Sequence, residues 1–177
     1  MHMVPYAVKN PKKRQLHKFP GMTVSIYQLR PESLGSIHIQ SPDPSDQPAI
    51  NFNFLTDPID RDAMIAGFKK IREIMNTKAM RDIRGEEFSP GTEVKTDDEI
   101  LSFIRNTAET AYHPIGTCRM GNGPESVVNE RLKVHGLEGL RVADGSIMPT
   151  MVSGNTNAAC IMIGEKASEM IKQDNPA

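Results

Sequence analysis

Between residues 20 and 56 the apolar positions alternate: Val24 and Ile26 share one face of an extended segment, and Ile37 and Ile39 share one face of a second. The turn-forming stretch from Arg30 to Gly35 separates them, and His38 then points away from the isoleucines with Ser36 and Gln40. Ser41 to Pro48, SPDPSDQP, is too dense in turn formers for regular structure and predicts a surface loop. From Asp57 the period lengthens. Met64, Phe68, Ile71 and Met75 recur at helical spacing after Asp57-Pro58, a start that suits a helix because the first turn has no use for the N–H that proline lacks. This helix is expected to lie on the sheet. Thr96 with Glu99 three residues later makes a capping-box pattern, Asp97 and Asp98 sit favourably near the positive end of the helix dipole, and Ile100, Leu101, Ile104 and Ala108 form the apolar stripe. That second helix is expected to run out near Thr110.

Beyond it, His113 to Pro124 is rich in Gly and Pro, while Leu132 to Val134 and Leu140 to Ala143 are short apolar runs about the Gly136 to Gly139 turn and predict a small hairpin. From about Thr156 to Ile171 a last helix is predicted, whose Ala158, Ala159, Ile161, Met162 and Ile163 cover almost the whole circumference of its start. Such a helix expects burial on most sides. With six Phe, three Tyr and no Trp, the chain has few bulky side chains to enclose it, so something else is expected to cover it. The fold class read from these elements is α+β, a mostly antiparallel sheet with helices on one face, followed by a C-terminal strand and helix. Residues 1–20 read as an extension or linker, 21–137 as the main portion and 138–177 as a separate returning segment.

The 177 residues suffice for one sizeable core, since a chain near this length buries roughly 70% of its unfolded surface. Hydrophobic residues at 38% and charged residues at 24% exclude a disordered or fibrous class. A formal net charge of -1 provides no global field to recruit nucleic acid or an anionic membrane. The run Lys9, Lys12, Lys13, Arg14 and Lys18 reads as solvated loop. No stretch reaches the roughly 18 to 20 apolar residues of a membrane span, and the start MHMVPYAVKNPKK lacks the apolar region of a secretory signal. The expectation is a soluble protein of the cytoplasm, with the periplasm left open. Cys118 and Cys160 are too few for a disulfide framework or a zinc site and read as two thiols; no metal site is expected.

Two stretches carry candidate chemistry. In YHPIGTCRMG, from Tyr112, a His sits beside a Pro in expected loop. A lone His is more often structural than catalytic, and His2, His17, His38 and His135 share that bland reading. In DGSIMPTMVSGNTNAA, from Asp144, Asn155 and Asn157 fall where a turn passes into the apolar helix. Asn155 reads on its own as an N-cap, while the free N–H groups of the helix start also suit an oxygen or anion of a ligand.

Together the stretches say more. HPIGTCRMG, then VVNERLKVHGLEGLRVADGSIMPT, then SGNTNAACIMIGEKA resemble, in composition, order and spacing, the C-terminal signature of the glucose-methanol-choline oxidoreductases. Upstream, YQLRPESLGSIHIQSPDP and PAINFNFLTDPIDRDAMIAGFKKIREI resemble the same family, so the likeness extends from about Gly21 to Ile171. The resemblance implies an enzyme that binds FAD and oxidises an alcohol to an aldehyde or ketone, a dehydrogenase rather than an oxidase. Its first active-site His matches His113, and its second active-site position, His in some members and Asn in others, matches Asn155. The Asn form in GNTNA is more similar to the choline dehydrogenase and alcohol dehydrogenase branches than to glucose oxidase. Asp144 and Gly145 match the region near the FAD ribityl and pyrophosphate, and Asn157 with Ala158 match the turn beneath the flavin pyrimidine edge.

The implied roles suit the residue types: an imidazole is a proton acceptor near neutrality, and an amide orients a substrate oxygen without taking its proton. Two departures stand out. The family often has VVDPRL where this chain has Val127 to Leu132 as VVNERL, which is expected to loosen that loop, and often DAS where this chain has Asp144-Gly145-Ser146. The family also needs a GxGxxG turn after a strand to seat the pyrophosphate, and the glycines at 116, 121 and 123 do not make it. The cofactor's main grip is therefore expected on an N-terminal FAD-binding half outside this sequence, with residues 138–177 returning to complete the flavin domain. The chain reads as a fragment or one half of a split enzyme, inactive alone. The alternative is a non-catalytic binding module derived from that family; the presence of both His113 and Asn155 favours the enzyme.

Overall fold

The computed structural model describes residues 1–10 and 13–176, so Lys12 of the basic run lies outside the described residues. The chain divides into two units, each assembled from two stretches of sequence: Met1–Gln28 with Leu55–Glu109, and Leu29–Phe54 with the chain from Thr110 onward.

In the first unit strand structure begins at once. β1 (His2–Val4) pairs antiparallel with β4 (Thr23–Ser25), Met3 opposite Val24, and between them β2 (Val8–Asn10) pairs with β3 (Gln15–Leu16). Helix α1 (Pro58–Met75) starts as its sequence predicts: Asp57, extended at the N-cap, accepts from the N–H of Ile59 at 2.8 Å, and Pro58 occupies the first turn. It rests on the β4 segment through Gly67, where an added Cβ would come within 2.5 Å of Ile26 Cδ1. A one-turn helix α2 (Lys78–Arg81) follows. Helix α3 (Asp97–Thr107) carries the expected capping box, Glu99 accepting from the N–H of Thr96 at 2.9 Å while Thr96 Oγ1 accepts from that of Glu99 at 3.3 Å. It ends at Thr107, slightly before Thr110. The core between α1 and α3 is Ile65, Ile100 and Ile104, flanked by Leu55, Met64, Phe68, Val94, Leu101 and Phe103. Arg72 closes this unit: its guanidinium grips both Glu87 oxygens, donates to the carbonyls of Gly91 and Val94, and lies over the Phe68 ring.

In the second unit β5 (Ser36–His38) and β6 (Ala49–Asn51) form a hairpin, Ile37 opposite Ile50, with Ser41 to Pro48 as its loop. Gly35 is required at its base, because a Cβ there would lie 2.1 Å from the Asn51 carbonyl oxygen. The fold is thus α+β with antiparallel pairing, but the named strands pair as three separate two-stranded ribbons. Segments of two or three residues present too few backbone groups on their outer edges to recruit a third strand.

The second unit's core is Val128, Leu132, Ile147, Met148, Ile163 and Ala167. The expected hairpin is present as a narrow pairing, with Val134 N–H donating to Leu140 O at 3.0 Å and Val142 N–H to Leu132 O at 3.1 Å. The loop expected to loosen for want of an Asp-Pro turn is instead well tied: Asn129 Oδ1 accepts from the N–H groups of Arg131 and Lys133 at 2.9 and 3.1 Å. An amide oxygen does there what the carboxylate would do. Helix α4 (Asn157–Asp174) buries Ile163 and Ala167 but leaves Ile161 60% and Met162 54% exposed, so the described residues cover only one side of it. Its last residue, Asp174, binds Arg131, Lys133 and Arg141, anchoring the helix to the hairpin. No helix among the described residues is long and apolar enough to cross a membrane.

Candidate active site

The residues singled out by sequence converge at the N-terminus of α4. The first contributor is a single 3-10 turn, Gly145–Ile147, started by Asp144, whose Oδ1 accepts from the N–H of Ser146 at 2.7 Å. Hydrogen bonds from the Ser146 side chain and backbone hold the Asp144 carboxyl below its ordinary range. Asp144 is exposed, and its carboxylate is engaged in shaping its own turn. The next two residues, Ile147 and Met148, belong to the core, so the turn is anchored from below.

The His113 loop is laced to this turn by backbone bonds: Cys118 N–H donates to Ser146 O at 3.0 Å and Met120 N–H to Ile147 O at 2.8 Å. Gly145 lies where the two segments meet α4. A Cβ built there would stand 3.3 Å from Cys160 Sγ, 3.6 Å from Met148 Cε and 3.9 Å from the carbonyl oxygen of Pro114, the residue after His113.

The decisive contact is between His113 and Thr156, with Nδ1 and Oγ1 3.0 Å apart. Thr156, and not Asn155, occupies the N-cap of α4, and it makes no side-chain cap. The capping explanation of Asn155 is therefore incorrect for this chain. The working caps, Asp57 and Thr96, have extended backbone with ψ of 136° and 159°, which turns the side-chain oxygen back over the first turn; Thr156 has ψ of -10° and is already helical. It forgoes a cap of about 1 kcal/mol, and its buried hydroxyl goes to the imidazole instead. Asn155, exposed, is the residue immediately before this contact, and Asn157 and Ala158, also exposed, are the first two residues of the helix.

All six expected positions, His113, Asp144, Gly145, Asn155, Asn157 and Ala158, thus belong to segments held against one helix start. Sequence reading missed Thr156. The signal was present in Asn155-Thr156-Asn157, since Thr is itself a capping type, but the flanking asparagines drew the assignment. Chemically the site has an imidazole held at Nδ1, with no described residue hydrogen-bonded to Nε2, an exposed amide on Asn155, the residue before its Thr156 partner, and first-turn N–H groups that no side chain caps. Proton acceptance, orientation of an oxygen and binding of a carbonyl or anionic edge are all within its means.

Comparison with known proteins places the chain in a family. Residues 31–164 match the family model for GMC oxidoreductase. The oxygen-dependent choline dehydrogenase of Escherichia coli is 45% identical over 171 residues, covering 97% of this chain and 31% of that protein. An alcohol dehydrogenase [acceptor] of Pseudomonas putida is 47% identical over 170 residues, covering 96% and 31%. Among solved structures, pyridoxine 4-oxidase from Mesorbium loti superposes with a TM-score of 0.77 at 32% identity, over 82% of this chain and 28% of that one. A fungal aryl-alcohol oxidase gives 0.74 at 34% identity, over 82% and 24%. The chain therefore spans about a third of the length of the curated relatives it matches, and it belongs to the GMC oxidoreductase family, within the part represented by that family's C-terminal domain.

Proposed function

We propose that this chain supplies the base and the substrate-orienting groups of an FAD-dependent enzyme that oxidises a CH–OH group to an aldehyde or ketone. The observation that carries the reading is the His113–Thr156 contact, which joins the imidazole to the helix start bearing Asn155, Asn157 and Ala158. Nε2 of His113 accepts the substrate's hydroxyl proton, and the Asn155 amide donates to the substrate oxygen and fixes its orientation. When bound, FAD supplies the acceptor for the hydride leaving carbon.

The residues present fit such a cofactor. The uncapped first turn of α4, with Asn157 and Ala158 exposed, offers N–H donors to a flavin's carbonyl edge, and Gly145 keeps the neighbouring turn free of a side chain. Asp144, bound into its own turn, serves by setting the course of that backbone. The cofactor's main grip is assigned to the remaining polypeptide, an N-terminal FAD-binding half to which residues 138–177 return; without it the chain is expected to be inactive. A dehydrogenase is the proposed class, in keeping with the alcohol dehydrogenase [acceptor] relative at 47% identity, and the cytoplasm is the proposed compartment.

The test is His113→Ala in the flavin-loaded enzyme that contains this chain, using whichever of choline, ethanol and benzyl alcohol reduces the wild-type flavin fastest. Positioned general-base catalysis contributes about 10²- to 10⁴-fold, so the variant should lose on the order of 3 to 5 kcal/mol of transition-state stabilisation. Flavin reduction in a single turnover should slow at least tenfold with FAD still bound. An unchanged rate would rule out His113 as the base.

A further inference from the structure

We propose that Thr156 is a positioning residue that selects the tautomer of His113, accepting the Nδ1 proton so that Nε2 is the nitrogen left with an open lone pair. This rests on His113 being the base. The two ring nitrogens differ in what the protein gives them: Nδ1 lies 3.0 Å from Thr156 Oγ1, and no described residue is hydrogen-bonded to Nε2. If the neutral ring carried its proton on Nε2, its only lone pair would be the one directed at the Thr156 hydroxyl, and no substrate could deliver a proton there. With Nδ1–H donating to Oγ1, the substrate O–H bond breaks, an Nε2–H bond forms, and the Nδ1–H bond to Thr156 persists unchanged in the imidazolium. A hydroxyl oxygen has the lone pairs to accept in both states.

Free imidazole side chains in water favour the opposite tautomer, so a base of this kind needs a partner at Nδ1. In this chain that partner is a hydroxyl rather than a carboxylate. The local backbone supports a dedicated role, because Thr156 stands at an N-cap with helical φ and ψ, makes no cap hydrogen bond, and is 9% exposed. With that backbone the hydroxyl is not placed over its own first turn, and its partner is the His113 imidazole of another loop.

The experiment uses the flavin-loaded enzyme labelled with isotopic nitrogen in histidine, the His113 signals being assigned with a His113→Gln variant. With the pH raised until the ring signals show the neutral imidazole, the wild type should show the proton on Nδ1; a proton on Nε2 overturns the proposal without need of any variant. Thr156→Val keeps the shape and removes the acceptor, and should move the population towards the Nε2–H form and slow flavin reduction at least about tenfold with little change in half-saturating substrate, as expected for a wrongly protonated base. Thr156→Ser retains the oxygen and should recover the rate to within about threefold, a rescue that a packing role would not produce. A Thr156→Val enzyme with wild-type tautomer and rate, or a Ser variant as slow as the Val variant, overturns the assignment. If instead His113→Ala reduces its flavin at the wild-type rate, it is the underlying base reading that fails.

Discussion

Adding one methyl group at Gly145 probes the packing that holds the His113 loop to α4. The new Cβ would lie 3.3 Å from Cys160 Sγ, closer than carbon and sulfur comfortably approach, while its other neighbours at 3.6 and 3.9 Å are ordinary contacts. Overpacking of this order costs about 1–3 kcal/mol. Against it stands a gain of about 0.4–1 kcal/mol, because alanine restricts the unfolded chain, and Gly145 does not need the left-handed backbone that only glycine adopts freely. The net expectation is a loss of roughly 0–2.6 kcal/mol, centred on about 1.3 kcal/mol. Cys160→Ala removes the obstructing sulfur. In that background the same Gly145→Ala change should reverse sign and stabilise by about 0.4–1 kcal/mol. Urea unfolding of the four proteins, followed by circular dichroism, measures both effects and their coupling. Equal effects in the two backgrounds, to within about 0.5 kcal/mol, would refute the contact as the source of the cost.

Three further outcomes follow from the structure. Arg72→Met should destabilise by about 2–4 kcal/mol in chemical denaturation, since it leaves Glu87 and the carbonyls of Gly91 and Val94 without their shared cation, and Arg72→Lys should recover only part because an ammonium cannot make the fork. Asp174 has its carboxyl lowered to about 2 by Lys133 first and then Arg131; its stabilisation is therefore complete above the ordinary carboxylate range near about 4 and is lost as pH falls towards about 2, so Asp174→Asn should flatten that part of an acid-unfolding curve. Asn155→Ala should weaken substrate binding or slow flavin reduction while leaving the thermal midpoint within about 2 °C, as Asn155 does not cap α4; a large loss of stability with normal kinetics would contradict its assigned role.

What the sequence disclosed depended on how locally each feature is determined. Helices α1 and α3 were legible to their caps because Asp57, Pro58, Thr96 and Glu99 act within a few residues of themselves. The strands about Val24 and Ile37 and the loop from Ser41 to Pro48 were also legible, but the pairing of β4 was not, because its partner is β1, some twenty residues earlier, and strands of two or three residues carry almost no alternation to read. The site falls between these cases. His113 and Asn155 became candidates only through the family likeness, since nothing near His113 distinguishes it from an ordinary histidine. Thr156 escaped because its hydroxyl is satisfied by a residue in a different loop, and capping preference describes only what a side chain does to its own helix.

The turn after Asp144 ties stability and chemistry together in consecutive residues. Gly145 meets Cys160 and Pro114, Ser146 receives the backbone of the His113 loop, Ile147 both receives it and enters the core, and Met148 is buried beside it. Ile163, in the same core, lies two turns along the helix that begins at Thr156. A change in this turn therefore alters folding free energy and the placement of the imidazole at once, and a slower enzyme is not by itself proof of a chemical role. The Gly145→Ala, Cys160→Ala pair separates the two. If flavin reduction falls with the single change and returns when the sulfur is removed, the rate was lost through displacement of the loop against α4. If it stays low in the double variant, the methyl group itself obstructs what must lie beside the turn, and Gly145 is there for the cofactor rather than for the fold.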